Sequence, residues 1–420
     1  MRSPTRDHVT PEAVGARAGR LRAFRSRDAA AQHGAARWRA ARWCAAGLAL
    51  LALACAPRGP LEHRLSGRAL GTTWSLIVVD EDRSTTPEAL RALADAALDE
   101  VDRAASTWRD DSELARFAKL APGESMPLSE HLRVVLDEAR FVHDQSGGAF
   151  DPTVAPLVAL YGFGAGAHTV APTEAERAAA HARVDFDAVV WGAALTAERP
   201  AAERPVGAAT TAAATLSRTR GDITLDLSAI AKGYAVDVIA ARLRAAGETR
   251  FLAEVGGELV LAGTRITGTP WSVSVDEPTE APPFGPPGSP GRPLHAVLAV
   301  SDRGLATSGD YRQYGADAEG HRITHAIDPR AGRAVSNDVA SVTVLAPTCM
   351  RADALATAVM VLGADDGLAL LERLPDVEGL VLLHRPAAAT GAPTFEERAT
   401  TGFGLPQAVA HGSWARPRPE

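Results

Sequence analysis

An aspartate and a threonine stand four positions apart in residues 351–362, a segment whose apolar pattern predicts a helix. On a helix Asp353 and Thr357 would share one face, because residues four apart lie one turn above each other. A carboxylate beside a hydroxyl is an oxygen-rich pair that suits Mg²⁺, whose shell is usually completed by water and substrate phosphates. Because Asp and Thr are common on helix surfaces, an ordinary polar helix surface is the alternative.

A second group of reactive residues, Asp226, Ser228 and Lys232, opens a predicted helix that runs to Gly247. Asp226 and Ser228 are residue types that favour helix N-caps. The first turn of a helix offers free N–H groups and a positive dipole end to an anion. Lys232 is one of only two lysines among 44 basic residues, which favours a role for its compact ammonium. The pattern predicts a phosphate or cofactor site, with a capped surface helix as the alternative.

His325 is the third candidate, since it precedes the turn-forming step Asp328-Pro329. A histidine near a loop edge can exchange protons at neutral pH, and a purely structural histidine is the alternative. Upstream, residues 306–311 place hydroxyls and backbone N–H groups beside Gly309, which is consistent with a phosphate cradle.

The elements that must position these residues alternate irregularly between helices and strands. Helical spacing covers the segments 87–106, 129–146, 351–362 and 367–374. Strand patterns cover the segments 65–80, 251–261, 271–275, 295–300, 339–346 and 379–383, the second as a strand pair around Gly256-Gly257. The irregular order favours a mixed α/β layer architecture over a strict βαβ repeat.

Composition excludes some classes of function. The chain has 420 residues, 46% hydrophobic and 23% charged, which is typical of a globular protein with a sizeable core. Its formal net charge is -7, and ten of its 44 basic residues lie before position 55. The remaining chain is therefore acidic, which argues against a nucleic-acid surface. A small polyanionic ligand would need a local source of positive charge, such as a metal ion.

The N-terminus is typical of an export signal. Arg37, Arg39 and Arg42 precede an apolar run over residues 44–54 that is too short to span a bilayer and has the length of a signal-peptide core. Cys55 ends this run in a sequence that resembles a bacterial lipobox, which predicts a lipidated, membrane-anchored protein on the periplasmic side. A short buried helix is the alternative.

The domain organisation follows from the same features. We expect a basic leader and signal peptide over residues 1–55, a linker over 56–64, a catalytic domain over 65–400 and a tail over 401–420. Low-complexity stretches at about 193–219 and 279–293 predict surface insertions. With Cys44 removed and Cys55 acylated, Cys349 would have no partner for a disulfide and is predicted to be a small core residue.

Eight short blocks occur in an order that resembles the ApbE family, the FAD:protein FMN transferases. The blocks are LGTTW (70–74), STWRDDSE (106–113), GAFDPT (148–153), DLSAIAKGYAVD (226–237), GGE (256–258), ATSGD (306–310), HAIDPR (325–330) and ADALAT (352–357).

The resemblance implies an α+β fold of intertwined, T-fold-like halves with mixed sheets and FAD in a central cleft. It implies flavin contacts from eight residues: Leu70, Trp108, Ala149, Phe150, Asp151, Asp226, Lys232 and Ile327. It also implies a Mg²⁺ site held by the Ala229 carbonyl, Asp353, the Ala356 backbone and Thr357.

The implied reaction is Mg²⁺-dependent transfer of FMN from FAD to a threonine hydroxyl of an acceptor flavoprotein, with release of AMP. We expect His325, or in second place Asp226, to assist deprotonation of that hydroxyl. The implied acceptors are exported or membrane redox proteins with a Ser/Thr-Gly-Ala-Thr type site. Two alternatives stay open: Mg²⁺-dependent hydrolysis of FAD to FMN and AMP, and a membrane-anchored flavin-binding or storage lipoprotein.

Overall fold

Strands outnumber helices in the described part of the chain, where short runs of β-branched and aromatic residues alternate with turns. The computed structural model describes residues 59–162, 172–192, 214–279, 293–310, 314–316, 322–324, 326–385 and 394–404. Its strands are β1 Leu61–Ala69, β2 Thr72–Asp80, β3 Ser125–Pro127, β4 Val189–Trp191, β5 Thr215–Arg218, β6 Phe251–Val255, β7 Glu258–Ala262, β8 Trp271–Asp276, β9 Leu294–Val300, β10 Arg303–Gly309, β11 Tyr314–Ala316, β12 Arg322–Thr324, β13 Ile327–Asp328, β14 Arg333–Ala334, β15 Val339–Ala346, β16 Glu378–Arg385 and β17 Thr394–Ala399.

Eight of these strands form one sheet in the order β1-β2-β6-β7-β10-β15-β16-β17. The sheets predicted as mixed are antiparallel at every strand pair that the structure describes. β15 lies inside the large sheet and is buried along nearly its whole length, because both faces of the sheet are covered. The irregular order of elements favoured a mixed layer architecture, and the α+β class that the resemblance implies is confirmed.

The helices are α1 Pro87–Ala105, α2 Glu113–Phe117, α3 Glu130–Gln145, α4 Ala155–Leu160, α5 Glu174–His181, α6 Ala231–Ala245, α7 Cys349–Leu362 and α8 Ala364–Glu372. Local sequence explains several of their starts. Thr86 caps α1 ahead of Pro87, and Ser129 caps α3 through the N–H of Leu132. α6 and α7 are buried on most of their surface, so they form the centre of the helical layer.

Two hydrophobic cores lie on opposite faces of the large sheet. The larger core joins the sheet to α1, α3, α6 and α7, with Trp74, Leu98, Val135 and Leu355 among its buried members. The smaller core packs the β8–β9 hairpin against the other face, where Trp271 is 3% exposed. The sheet is thus a central layer between helices and a hairpin, and the helices on one side carry four of the predicted site residues, Lys232, Asp353, Ala356 and Thr357.

The turn between β1 and β2 contains a strained leucine. Leu70 and Gly71 both have positive φ, 51° and 72°, as a two-residue hairpin turn with the twist of its strands requires. Glycine adopts this region without cost, whereas leucine rarely does. The surrounding sheet therefore holds Leu70 in a conformation that its own backbone disfavours.

Residues 306–309, to which the sequence assigned neither helix nor strand, belong to β10. The structure corrects two predictions of local structure. The helix expected from Asp226 begins at Ala231. The end of the stretch 193–219, predicted as a surface insertion, is β5, which pairs with β3 and β4. β5 is anchored because the buried guanidinium of Arg218 donates to the carbonyls of Leu120 and Ile223.

Residues from Pro60 onward belong to one compact unit, as far as the chain is described. The predicted leader and Cys55 lie outside the described residues. Among the helices of the described part, none combines the length and apolar character needed to cross a bilayer.

Candidate active site

A cleft of about 380 Å³ opens where the starts of α6 and β7 meet the end of β10, the loop after α3, and α7. Its lining residues are Ala149, Phe150, Asp151, Pro152, Val154, Val158, Asp226, Ser228, Ala229, Lys232, Glu258, Thr307, Ser308, Gly309, Ala326, Ile327, Pro329, Asp353, Thr357, Met360 and Val361. The lining combines apolar side chains with hydroxyls and charged groups. This is the composition of a site for a ligand with both apolar and anionic parts.

The helix α7 supplies Asp353 and Thr357 to one wall of the cleft, as their spacing predicts. Asp353 is 3% exposed. Its Oδ2 accepts the backbone N–H of Gly233 at 3.1 Å and lies 3.6 Å from Nζ of Lys232. The hydroxyl of Thr357 lies 3.5 Å from that of Ser308 on β10. The carboxylate is thus fixed through one oxygen by a neighbouring helix.

The start of α6 differs from the predicted one. The backbone N–H of Asp226 donates to the carbonyl of Pro152 at 2.7 Å, which ties residue 226 to the loop after α3. The carboxylate of Asp226 accepts the N–H of Ser228 at 2.9 Å and also its hydroxyl. Asp226 therefore closes an Asx turn ahead of the helix and does not cap it. The residue before α6, Ile230, gives no side-chain cap.

Lys232 contacts three segments of the cleft lining: the residues before α6, the start of β7, and α7. Its ammonium donates to the carbonyl of Ser228 at 3.1 Å and lies 3.2 Å from the Glu258 carboxylate and 3.6 Å from that of Asp353. Glu258 is 2% exposed. Such a buried carboxylate is tolerable because the Lys232 ammonium compensates for its desolvation.

Glu258 is a site residue that the sequence reasoning missed. The signal was present in the GGE block, since Gly256 and Gly257 take positive φ in the tight turn between β6 and β7. This turn starts β7 at Glu258, beside Lys232. Its addition gives the described cleft four carboxylates, Asp151, Asp226, Glu258 and Asp353, against the ammonium of Lys232. The formal charge of the lining is therefore -3.

The loop after α3 forms another part of the cleft wall. Gly147 and Gly148 take positive φ and turn the chain, after which Ala149 and Phe150 are almost fully buried in the cleft wall. Asp151 accepts the N–H of Thr153 at 2.7 Å and its hydroxyl at 2.6 Å. These bonds order the loop.

Comparison with known proteins identifies this architecture. A model of the ApbE family matches residues 70–381. The FAD:protein FMN transferase of Vibrio cholerae is 35% identical over 325 residues, which cover 77% of this chain and 88% of that protein. The chain belongs to the ApbE family.

Solved structures agree with this membership. The structure of the flavin transferase ApbE from Vibrio cholerae has a TM-score of 0.67 and 33% identity, covering 82% of this chain and 98% of that one. The apo form of the Pseudomonas stutzeri flavinyl transferase ApbE has a TM-score of 0.67 and 29% identity, covering 82% of this chain and 96% of that one. The fold described above is thus the ApbE fold.

The residues that the ApbE resemblance implies fall into three groups. Nine line the cleft, namely Ala149, Phe150, Asp151, Asp226, Ala229, Lys232, Ile327, Asp353 and Thr357. Leu70, Trp108 and Ala356 are described but do not line it. His325 lies outside the described residues.

Each residue of the second group has a distinct setting. Leu70 lies in the strained β1–β2 turn. Trp108 is 78% exposed, beside Arg109, whose guanidinium donates to Asp111 at 2.9 Å. Ala356 is fully buried inside α7 between the two metal-ligand candidates of that helix. The cleft lining thus includes Lys232 of α6 and both side-chain metal-ligand candidates of α7, and it omits Leu70 and Trp108, which lie further away in the sequence.

The far end of the α6–α7 contact is held by Asp237. Its Oδ1 accepts the N–H of Cys349 at 2.9 Å, and its Oδ2 accepts the N–H of Met350 at 2.8 Å. Desolvation raises the pKa of the partly buried Asp237 to about 7, against the lowering effect of these two donors. Cys349 itself is a free, fully buried thiol whose pKa burial raises, which confirms its prediction as a core residue.

Proposed function

We propose that this chain transfers FMN from FAD to a threonine hydroxyl of an acceptor flavoprotein, with Mg²⁺ as cofactor and AMP as leaving group. The observation that carries the proposal is the meeting of Asp353 and Thr357 with Ala229 and Lys232 in one acidic cleft. A phosphoryl transfer site must position a polyanion and neutralise it, more than it must supply covalent chemistry. The names of the curated relatives favour this reaction.

The donor set fits Mg²⁺. The side chains of Asp353 and Thr357 and the carbonyl of Ala229 are hard oxygen donors on one cleft. Both contacts given above for Asp353 fall on Oδ2, which leaves Oδ1 to act as a ligand. Within the described residues no group of three or more His, Cys, Asp or Glu side chains is arranged to hold a metal, so the site would depend on hydroxyl and carbonyl oxygens.

Charge supports the same assignment. A lining of four carboxylates and one ammonium repels a pyrophosphate unless a divalent cation accompanies it. When bound, Mg²⁺ supplies several kcal/mol of charge neutralisation at phosphate oxygens. Lys232 would add a point charge, while Ala149, Phe150 and Ile327 provide an apolar wall for the flavin ring.

In the proposed reaction the oxygen of the acceptor threonine forms a bond to the FMN-side phosphorus of FAD. The bond from that phosphorus to the bridging oxygen breaks, and AMP leaves with the electron pair. We assign the proton of the acceptor hydroxyl to His325, with Asp226 as the second choice. The base can be tested with His325→Ala, which should bind FAD normally yet lose single-turnover transfer. Full transfer by that variant would exclude His325.

The reaction itself is tested by mass spectrometry of a threonine-containing acceptor flavoprotein incubated with the protein, FAD and Mg²⁺. An FMN-sized adduct together with AMP is expected. Free FMN and AMP without adduct would replace transfer by hydrolysis. Recovery of intact FAD alone would replace both by flavin binding.

We also propose that the protein is exported and held at the periplasmic face of a bacterial membrane through lipid on Cys55. The support is the basic and apolar sequence before Cys55. Expression of Cys55→Ser beside the unaltered chain, with labelled fatty acid, tests this. Label and membrane association should be present in the unaltered chain and absent from the variant, and equal label in both would refute the anchor.

A further inference from the structure

The starts of α6 and α7 are capped by each other. Asp353 of α7 accepts the N–H of Gly233 in the first turn of α6, and Asp237 of α6 accepts the N–H groups of Cys349 and Met350 in the first turn of α7. We propose that Asp237 is a positioning residue, which through this reciprocal cap sets the place of Asp353 and Thr357 in the metal site. The inference rests on the proposed Mg²⁺-dependent transfer.

Asp237 is the hydrogen-bond partner of two backbone N–H groups at the start of α7. A helix start leaves about four N–H groups without partners in the helix. Thr348 takes one of them, since its hydroxyl accepts the Arg351 N–H. Asp237 takes two more, one with each carboxylate oxygen. Without Asp237 these two donors would lose their partners in a closely packed contact.

The packing around this turn leaves it no room to move. A Cβ on Gly233 would come within 2.5 Å of the Cys349 carbonyl oxygen, and one on Gly304 would come within 2.2 Å of the Cys349 nitrogen. The backbones of α6 and β10 therefore both touch the first turn of α7. Since Asp353 lies one turn further along the helix, a shift of the capped turn would be carried to its carboxylate.

A second contact fixes the rotation of α7. The guanidinium of Arg351 donates to the Glu138 carboxylate on α3, with Nε 2.7 Å from Oε1. Glu138 is 2% exposed. The contacts of Asp237 and Arg351 reach α7 from two different helices, α6 and α3. Together they fix the position of α7 along its axis and its rotation about that axis. Of the two, only the Asp237 contact is matched by a return contact from the metal-site residue Asp353.

The test compares metal affinity in Asp237→Ala, Asp237→Asn and Val238→Ala. Val238 is the buried apolar neighbour of Asp237 on α6, so its truncation weakens packing and leaves the cap intact. Two quantities are measured: the Mg²⁺ concentration that half-saturates FMN transfer, and the Mn²⁺ dissociation constant with FAD, by electron paramagnetic resonance. The full chain is used throughout.

We expect Asp237→Ala to raise both quantities by about tenfold to a hundredfold, the range known for residues that orient metal ligands. Asp237→Asn keeps one acceptor and should give a smaller rise in both. Val238→Ala should leave both unchanged at a similar loss of melting temperature. If Asp237→Ala does not fold, Asp237→Asn carries the test.

The idea fails if the Asp237 variants bind metal as the unaltered chain does, or if Val238→Ala shifts affinity equally. An unaltered chain that neither binds Mn²⁺ nor responds to Mg²⁺ would instead overturn the proposed metal-dependent function. The two failures are therefore distinguishable.

Discussion

The starts of α6 and α7 have opposite environments although they pack against each other. The first turn of α7 is packed between the backbones of α6 and β10, and each of its N–H groups has a partner. The first turn of α6 has no side-chain cap from the preceding residues and borders the cleft through Lys232. One start is thus an anchor and the other is part of a binding surface. Both starts are held by hydrogen bonds within the chain, so what distinguishes them is whether their side chains reach the cleft.

The variant with the largest expected effect on this contrast is Asp353→Ala. It removes both a metal-ligand candidate and the acceptor of the Gly233 N–H. Loss of several kcal/mol of charge neutralisation predicts at least about a hundredfold fall in the rate of FMN transfer. The measurement is single-turnover transfer at saturating FAD. Asp365→Ala removes an aspartate whose side chain is 85% exposed and should transfer at the normal rate. Equal rates for both variants would remove Asp353 from the site.

Gly233→Ala tests how tightly the first turn of α7 is packed, because Gly233 of α6 touches that turn. In a helix interior this change normally stabilises by about 1 kcal/mol. Here the new Cβ would lie 2.5 Å from the Cys349 carbonyl oxygen, so we expect the free energy of unfolding to fall by about 1–3 kcal/mol in chemical denaturation. Gly221→Ala is the control, because its nearest atom is Pro122 Cγ at 3.4 Å. A stabilised Gly233→Ala would show that α7 can move away.

Lys232→Met tests the start of α6, which borders the cleft. Loss of charge-assisted hydrogen bonds predicts a KM for FAD about tenfold higher, with the Mg²⁺ requirement not raised, because the lining becomes more negative. The control is Lys119→Met, which removes the other lysine of the chain at an exposed position. A raised Mg²⁺ requirement with an unchanged KM would reverse the roles given to Lys232 and Asp353.

The pH dependence of stability gives the smallest and most specific test. The folded pKa of Asp237 is about 7, above the usual 3.8, so the folded state holds a proton that the unfolded state releases earlier. The stability that Asp237 contributes is therefore full below about pH 4 and is lost as pH rises to about 7. The advantage of the unaltered chain over Asp237→Asn should shrink across this range in urea titrations. An advantage that grows with pH would mean that the N–H donors outweigh desolvation.

Much of the fold could be predicted because its patterns are local. The helix at 129–146 appears as Glu130–Gln145, and the strand pair around Gly256-Gly257 appears as β6 and β7. Periodicity and turn residues encode such elements directly. The pair of Asp353 and Thr357 was likewise correctly placed on one cleft-facing helix, since a spacing of four fixes the face.

The errors lie where distant segments compete for a backbone group. Asp226 has the residue type of an N-cap, yet its N–H is held by Pro152 and its side chain by Ser228, so the helix starts five residues later. Residues 306–309 were assigned no element from the sequence, and they form a strand because they pair with β15. Glu258 was missed because its importance depends on Lys232, which is 26 positions away in sequence but 3.2 Å away in space.

The sequence by itself determined the element types, the ordered ApbE blocks, the faces of the helices and the acidic balance of the chain. Only the tertiary structure decided which helix start is packed between other backbones and which borders the cleft. The reason is physical: an N–H group donates to any carboxylate that folding brings near, and residue type does not say which one arrives. Asp237 and Asp353 are both aspartates on buried helices, and their exchange of partners across the α6–α7 contact makes one an anchor and the other a site residue.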